Sequence, residues 1–194
     1  SAAELLDGAH LRGHLLEAAD VRVGGLERAY DVQDALTARR MSRGATRVGW
    51  KLGYTSAVMR AQMGIAEPNL GPLLSSMLVD RVDERFVQPR VEPEIALVLD
   101  RDPGAGASVD DVLAACRSAH AALEVVDSVW AGYRFDLEHN TADGSSAAGV
   151  VLGDELPLDR LDEVEVSLAV DGTAVAAGRG ADASGHPAAG VAWL

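Results

Sequence analysis

Glu92 and Glu94 stand two residues apart in Val91-Glu92-Pro93-Glu94-Ile95-Ala96-Leu97-Val98-Leu99, at the entrance to a run too apolar to lie on a surface. In a β-strand residues i and i+2 project from one face, so this spacing aims both carboxylates at one point. Like charges held that close need a partner, and a divalent cation is the economical one. The alternatives are that both acids sit in water at the strand mouth or pair with arginines such as Arg90.

Two other residues strengthen the cation reading. Of 17 basic residues only Lys51 is a lysine, in the strand-like segment Arg47-Val48-Gly49-Trp50-Lys51-Leu52-Gly53-Tyr54. A compact ammonium donates to a substrate oxygen or takes part in proton transfer where a planar guanidinium does so poorly; chance survival of one lysine at a strand end is the plainer explanation. Glu124 is the one acid in the apolar run Ala119-His120-Ala121-Ala122-Leu123-Glu124-Val125-Val126. A buried ionised carboxylate is costly unless paired or metal-bound. Three such acids, with no cysteine or histidine clustered beside them, describe a hard oxygen-ligand site suited to Mg2+ or Mn2+ rather than zinc.

Composition narrows the rest. A chain of 194 residues with 48% hydrophobic and 4% aromatic content builds one core from Ala, Val and Leu, which suits an α+β enzyme and offers little stacking surface for bases. The net charge of −13 argues against nucleic acid and anionic lipid as partners, since no basic stripe offsets it. A single cysteine, Cys116, excludes an internal disulfide framework and reads as helix core. No leader-like or membrane-spanning run occurs in the sequence, so the expectation is a soluble, cytoplasmic protein that does not engage membranes.

Along the chain, residues 3–19 and 31–43 read as amphipathic helices, the second capped by Asp31 and closed near Gly44. Residues 46–55 read as a strand, and Ser56 caps a short helix to Met63. Ile65 to Pro72, with two prolines and a glycine, reads as a shaped loop. A buried strand over 94–100, a helix from Ser108 to Arg117 with a Ser108/Asp111 capping box, and a strand over 120–127 follow. The polar segment from Tyr133 to Ser146 reads as a site wall, the apolar Val150-Val151-Leu152 as a strand, and 164–177 as a hairpin around Asp171-Gly172. His10 and His14 are expected on an outer helix face, and His186 as a helix cap or packing residue. Gly178-Arg179-Gly180 lacks the strand, turn and helix of a phosphate-binding loop.

Lys51-Leu52-Gly53-Tyr54-Thr55-Ser56, Glu67-Pro68-Asn69-Leu70-Gly71, Gln88-Pro89-Arg90-Val91-Glu92-Pro93-Glu94, Leu123-Glu124-Val125-Val126-Asp127-Ser128, Ala142-Asp143-Gly144-Ser145-Ser146 and Gly178-Arg179-Gly180 through Gly185-His186-Pro187 occur in that order. In these motifs the chain resembles the 2-oxo acid hydratase/decarboxylase family of the fumarylacetoacetate hydrolase superfamily, from about residue 29 to its end. The resemblance implies a mixed β-sheet rolled into a barrel-like core behind N-terminal helices, with residues 1–45 as the helical part and 46–194 as the catalytic core. It implies a homo-oligomer, which can associate with a hydratase or decarboxylase partner. It also implies Mg2+ or Mn2+ held by Glu92, Glu94 and Glu124, catalytic places for Lys51 and Asn69, and substrate contacts from Tyr54, Ser56, Asp143, Ser145, Ser146 and Arg179. The substrate would be a small anionic 2-oxo acid.

Two departures stand out. Relatives continue with further strands beyond the Gly185-His186-Pro187 segment, whereas this sequence stops at Leu194. Hydratases of the family carry Asp where this chain has Asn69, and an amide cannot act as a base; decarboxylases often have an apolar residue there. The expectation puts hydration of a 2-hydroxypenta-2,4-dienoate first and decarboxylation of a 4-oxalocrotonate-type substrate second. An acylpyruvate-type C–C hydrolase and a non-catalytic subunit come after them.

Overall fold

The computed structural model describes residues 1–194, with every side chain but that of Met63. Helices and strands alternate in an α+β arrangement. Its helices are α1 (Ala2–Arg12), α2 (Leu26–Met41), α3 (Ala57–Met63), α4 (Val109–Ala115), α5 (Leu137–Ala142) and α6 (Pro187–Trp193). Its strands are β1 (Arg47–Gly53), β2 (Asn69–Leu74), β3 (Arg90–Leu99), β4 (Cys116–Val126), β5 (Ala147–Leu156), β6 (Glu165–Val170) and β7 (Thr173–Arg179). They pair as β1-β2, β3-β4-β5 and β6-β7, so the described residues form three small sheets and no closed barrel.

The chain divides into two compact units. The first comprises 1–53, 69–92 and 124–151, and the second 54–68, 93–123 and 152–194. The first unit has a core of Leu6, Val21, Val23, Ala29, Leu36, Val129 and the fully buried Trp130. Asp7 ties α1 to α2 through Arg39 at 2.9 Å and Arg43 at 2.6 Å. In the second unit α4 opens with the Ser108/Asp111 capping box, and the β6-β7 hairpin turns at Asp171 and Gly172, both at positive φ (50° and 78°) as an Asp-Gly turn requires.

Several expectations need correction. The first helix ends at Arg12, because Gly13 takes a left-handed conformation (φ 65°) and its N–H caps the last turn, leaving His14 beyond the helix and exposed. His10 is not an outer-face residue, since its Nε2 lies 2.6 Å from the buried Asp143 carboxylate. The second helix begins at Leu26 after Gly25, so Asp31 lies inside it. Of the loop expected over 65–72, residues 65–68 are irregular, but Pro72 lies in a strand. Asn69 to Leu74 form β2, with Pro72 opposite Trp50 in a two-stranded ribbon where each strand has a free edge to accept a missing N–H. Likewise β3 starts at Arg90 and carries Pro93 within it, tolerated on an edge strand. Its residues Ile95 to Val98 are only half-buried within the single chain and Leu99 is exposed, so this run is not an enclosed strand. Cys116 closes α4 and opens β4 instead of lying within a helix. The Ser56 cap and the His186 cap are as expected.

Helix α5, which carries much of the site wall, is fastened by His139. Its Nδ1 lies 2.6 Å from Asp136 Oδ1 and its Nε2 lies 2.8 Å from the Val21 carbonyl, so both ring nitrogens face acceptors. Burial opposes the imidazolium, but the Asp136 carboxylate and Val21 carbonyl outweigh it and raise the His139 pKa. A raised histidine contributes stability that is complete below its unfolded value and lost as pH rises through the folded value. The expected outcome is that urea midpoints fall as pH rises through the region just above the ordinary histidine range, and that His139→Gln flattens this dependence; an unchanged slope in the variant would contradict it.

Candidate metal centre

Strand β1 sets out the first half of the site. In the β1-β2 register Lys51 stands opposite Gly71, and Gly53 opposite Asn69. Direct partners and i, i+2 neighbours share a face, so all four project the same way. The two glycines leave that face open. A Cβ on Gly53 would overlap Asn69 Oδ1 and approach Ser145 Oγ to 2.6 Å, and one on Gly71 would overlap the Gly144 carbonyl. Into the space fits the turn Gly144-Ser145-Ser146, three consecutive residues at positive φ (71°, 56° and 58°).

For the two serines that conformation costs about 1–3 kcal/mol each and persists only where surrounding contacts over-determine it. Those contacts are present. Ser145 Oγ donates to Asn69 Oδ1 (2.9 Å), the Ser145 carbonyl accepts from Lys51 Nζ (3.0 Å), Ser146 Oγ accepts from Asn140 Nδ2 (3.0 Å), and the Ser146 carbonyl accepts from Asp127 N–H (2.9 Å).

Lys51 Nζ also lies 3.3 Å from Glu124 Oε2, with 10% of the lysine side chain and 5% of the glutamate side chain exposed. Glu124 comes from β4, which pairs with β3. Glu94 follows Glu92 by two along β3, and carboxylate oxygens of Glu92, Glu94 and Glu124 lie within 4.8 Å of one another. Glu92 and Glu94 are exposed and Glu124 is buried. Burial pushes the Glu124 carboxyl up to about 7; Lys51 pulls it down without compensating, and Glu92 pushes it further up.

Glu124 Oε1 is buried and has no hydrogen-bond partner, the one such side-chain atom among the described residues. Leaving a charged acceptor in that state costs more than the roughly 1–3 kcal/mol of a neutral one. A buried carboxylate with one unpartnered oxygen, grouped with two more carboxylates and no soft ligand, fits a hard divalent cation. Glu92, Glu94 and Glu124 would hold it.

The remaining expected residues have local roles of their own. Asp143 is buried, its oxygens engaged by His10, by the Ser128 hydroxyl (3.3 Å) and by Val129 N–H (3.2 Å). Ser56 Oγ accepts from Met59 N–H as the α3 cap. Tyr54 has positive φ (58°), and its carbonyl accepts from Arg60 (2.6 Å). Arg179 is exposed and pairs with Glu165 at 3.1 Å. A cavity of about 590 Å3 in the first unit, lined by Asp7, His10, Arg40, Arg43, Arg85 and Asp127 among others, includes none of the glutamates or Lys51 and is not the carboxylate site.

Not singled out from the sequence were Gln33, Asn140 and Thr141. Gln33 Nε2 donates to the Leu70 carbonyl (2.9 Å) and the Thr141 carbonyl (2.8 Å), stitching α2 to β2 and α5. One signal was available: Gln33 shares the helical stripe of Ala29, Leu36 and Thr37, where a polar residue must find partners.

No family model matches the chain. It is 34% identical over 178 residues to a 2-hydroxypent-2,4-dienoate hydratase from Pseudomonas putida, covering 87% of this chain and 80% of that relative. It is 35% identical over 164 residues to a 4-oxalocrotonate decarboxylase from Pseudomonas sp (82% and 64%). Against a 2-keto-4-pentenoate hydratase from Burkholderia vietnamiensis the identity is 36% over 174 residues (86% and 66%), so the chain spans just under two thirds of these last two relatives. Among solved structures, the 4-oxalocrotonate decarboxylase from Pseudomonas putida G7 complexed with magnesium and adipate matches with a TM-score of 0.91 at 32% identity, over 98% of this chain and 76% of that one. The same enzyme complexed with calcium and acetate gives 0.88 at 30% identity. The chain belongs to the family of 2-keto-4-pentenoate hydratases and 4-oxalocrotonate decarboxylases.

If the three glutamates hold a cation, ligand binding stabilises the folded state by about 2.7 kcal/mol at 100 times the dissociation constant. Magnesium should therefore raise the thermal midpoint of this chain. Glu124→Gln should abolish that rise and weaken binding at least about 100-fold by calorimetry, a larger loss than outer-shell changes give; a full magnesium response in the variant would remove Glu124 from the site.

Proposed function

We propose that the chain is a divalent-metal-dependent lyase acting on a small unsaturated 2-oxo acid, and that Glu92, Glu94 and Glu124 hold Mg2+ or Mn2+ while Lys51 serves as the active-site cation. The observation that carries this reading is the unpartnered Oε1 of Glu124 beside two further carboxylates and the buried Lys51. When bound, the metal supplies Lewis-acid stabilisation of negative charge developing on a substrate oxygen.

The protein's own groups complete the chemistry. The Lys51 ammonium carries three donors; one goes to the Ser145 carbonyl and one faces Glu124, leaving a third to meet an anionic substrate oxygen. Burial of Lys51 and Glu124 keeps these charges in low dielectric, where they act more strongly than in water. Ser146 Oγ accepts from Asn140, so its own hydroxyl proton remains to be donated.

Hydration needs a group that positions and deprotonates water. The residue at the expected place, Asn69, is an amide whose oxygen and nitrogen are both engaged within the protein. Loss of a distal carboxylate as carbon dioxide needs the electron sink and no such base. The geometry therefore favours decarboxylation of a 4-oxalocrotonate-type substrate. Hydration of a 2-hydroxypenta-2,4-dienoate is the second reading, supported by the 80% coverage of the hydratase relative. A homo-oligomer and a hydratase or decarboxylase partner belong to the same reading, supported by the half-exposed apolar residues of β3. The barrel-like core is inferred from the resemblance alone. Among the described residues no helix is long and apolar enough to cross a membrane.

The test is NMR of the purified protein given 4-oxalocrotonate and 2-hydroxypenta-2,4-dienoate separately, with and without magnesium. Magnesium-dependent loss of carbon dioxide from the first is expected, with Glu92→Ala inactive. Formation of 4-hydroxy-2-oxopentanoate from the second, without decarboxylation of the first, would install the hydratase reading instead.

A further inference from the structure

Asn69 is 2% exposed, and its side chain makes three hydrogen bonds to three different side chains. Nδ2 donates one hydrogen to Asn140 Oδ1 (3.0 Å) and the other to Thr141 Oγ1 (3.0 Å); Oδ1 accepts from Ser145 Oγ (2.9 Å). Both donors are spent, and Gly53 brings its backbone so close that no substrate atom could reach Oδ1 from that side. A group so occupied is poorly placed to exchange a proton with a substrate or a water.

We propose that Asn69 is a positioning residue, not an acid or base: its amide locks the left-handed Ser145-Ser146 turn and, through the Ser145 carbonyl, fixes the Lys51 ammonium beside Glu124. Two links run outward from the amide. Through Ser145, the hydroxyl bond to Asn69 holds a residue whose backbone conformation is unfavourable by itself, and that residue's carbonyl holds Lys51. Through Asn140, the amide sets a direction. Because Asn69 gives a hydrogen to Asn140 Oδ1, Asn140 must present Nδ2 to Ser146, and Ser146 keeps its own proton.

A carboxylate at 69 could not sustain that order. It accepts only, so Asn140 would have to turn its Nδ2 toward residue 69 and its Oδ1 toward Ser146, taking the Ser146 proton. The two near-isosteric side chains thus make opposite networks from the same partners. This inference rests on the lyase reading above, but its first test needs no substrate, so either can fail alone.

Lys51 is the one lysine in the chain, so protein labelled with 13Cε-lysine gives one lysine signal per chain in a carbon–proton spectrum. With magnesium present, that signal is expected away from the position of a free lysine side chain. Asn69→Ala, which removes the acceptor of the Ser145 hydroxyl, should move it toward the free value, and Thr141→Val, which keeps Asn69 but removes one of its acceptors' hydroxyls, should move it partway; Asn69→Asp keeps an acceptor for Ser145 and is read by the kinetic arm. Circular dichroism identifies any variant that fails to fold, and Thr141→Val then carries the test. An unmoved lysine signal in folded variants would overturn the proposal.

The kinetic arm uses both 2-oxo acid substrates. Asn69→Asp should lower kcat by about 10–100-fold, the usual cost of losing an outer-shell partner, with KM little changed. Thr141→Val should lower it in the same sense. A gain of hydration in Asn69→Asp with the lysine signal in place would show that residue 69 acts chemically and overturn the positioning role.

Discussion

Glu124 is buried beside Lys51 with one carboxylate oxygen facing the ammonium and the other without a hydrogen-bond partner. That arrangement is expensive, because a half-satisfied buried charge loses its water without full compensation. The cost is visible in the Glu124 carboxyl, which burial pushes up to about 7 despite the lysine. Glu92 and Glu94 worsen the balance, since they add negative charge at the same place. The proposed cation would supply the missing partner, since the single lysine already faces the other Glu124 oxygen. A divalent metal, as proposed, would relieve the charge gathered by these acids.

The surrounding backbone is arranged around that centre. Two glycines on one face of the β1-β2 ribbon clear space for a turn of three left-handed residues, and that turn returns a carbonyl to Lys51. Asn69, Asn140, Thr141 and Gln33 form the polar frame behind it, joining β2, α5 and α2. Buried polar networks are worth their desolvation only when nearly every member is paired, and here the amides are. The strain at Ser145 and Ser146 is held in place by this frame.

The convergence of the three carboxylates was legible in the sequence because its signals are local. An i, i+2 pair of acids needs only strand geometry to converge, an acid alone in an apolar run announces its own desolvation, and a unique lysine in an arginine-rich chain is conspicuous. The polar frame was not legible, because Gln33 and Asn69 find partners 108 and 71 residues away, and no spacing rule reports such pairs. Secondary structure failed where tertiary context overrode a local rule: Pro72 and Pro93 sit in strands because edge strands forgive a missing N–H. The end of α1 was readable and misread, since Gly13 after Arg12 is a common helix stop. The apolar residues of β3 looked like an enclosed core strand, but hydrophobicity alone does not say which surface covers them.

The proposed chemistry depends on a cation lying among Glu92, Glu94 and Glu124. The direct measurement is diffraction from crystals of the protein grown with manganese, recorded near the manganese absorption edge. The expected result is an anomalous peak within coordination distance of oxygens from all three carboxylates, including Glu124 Oε1. A peak elsewhere, or ordered carboxylates with no peak in manganese-saturated crystals, would contradict it.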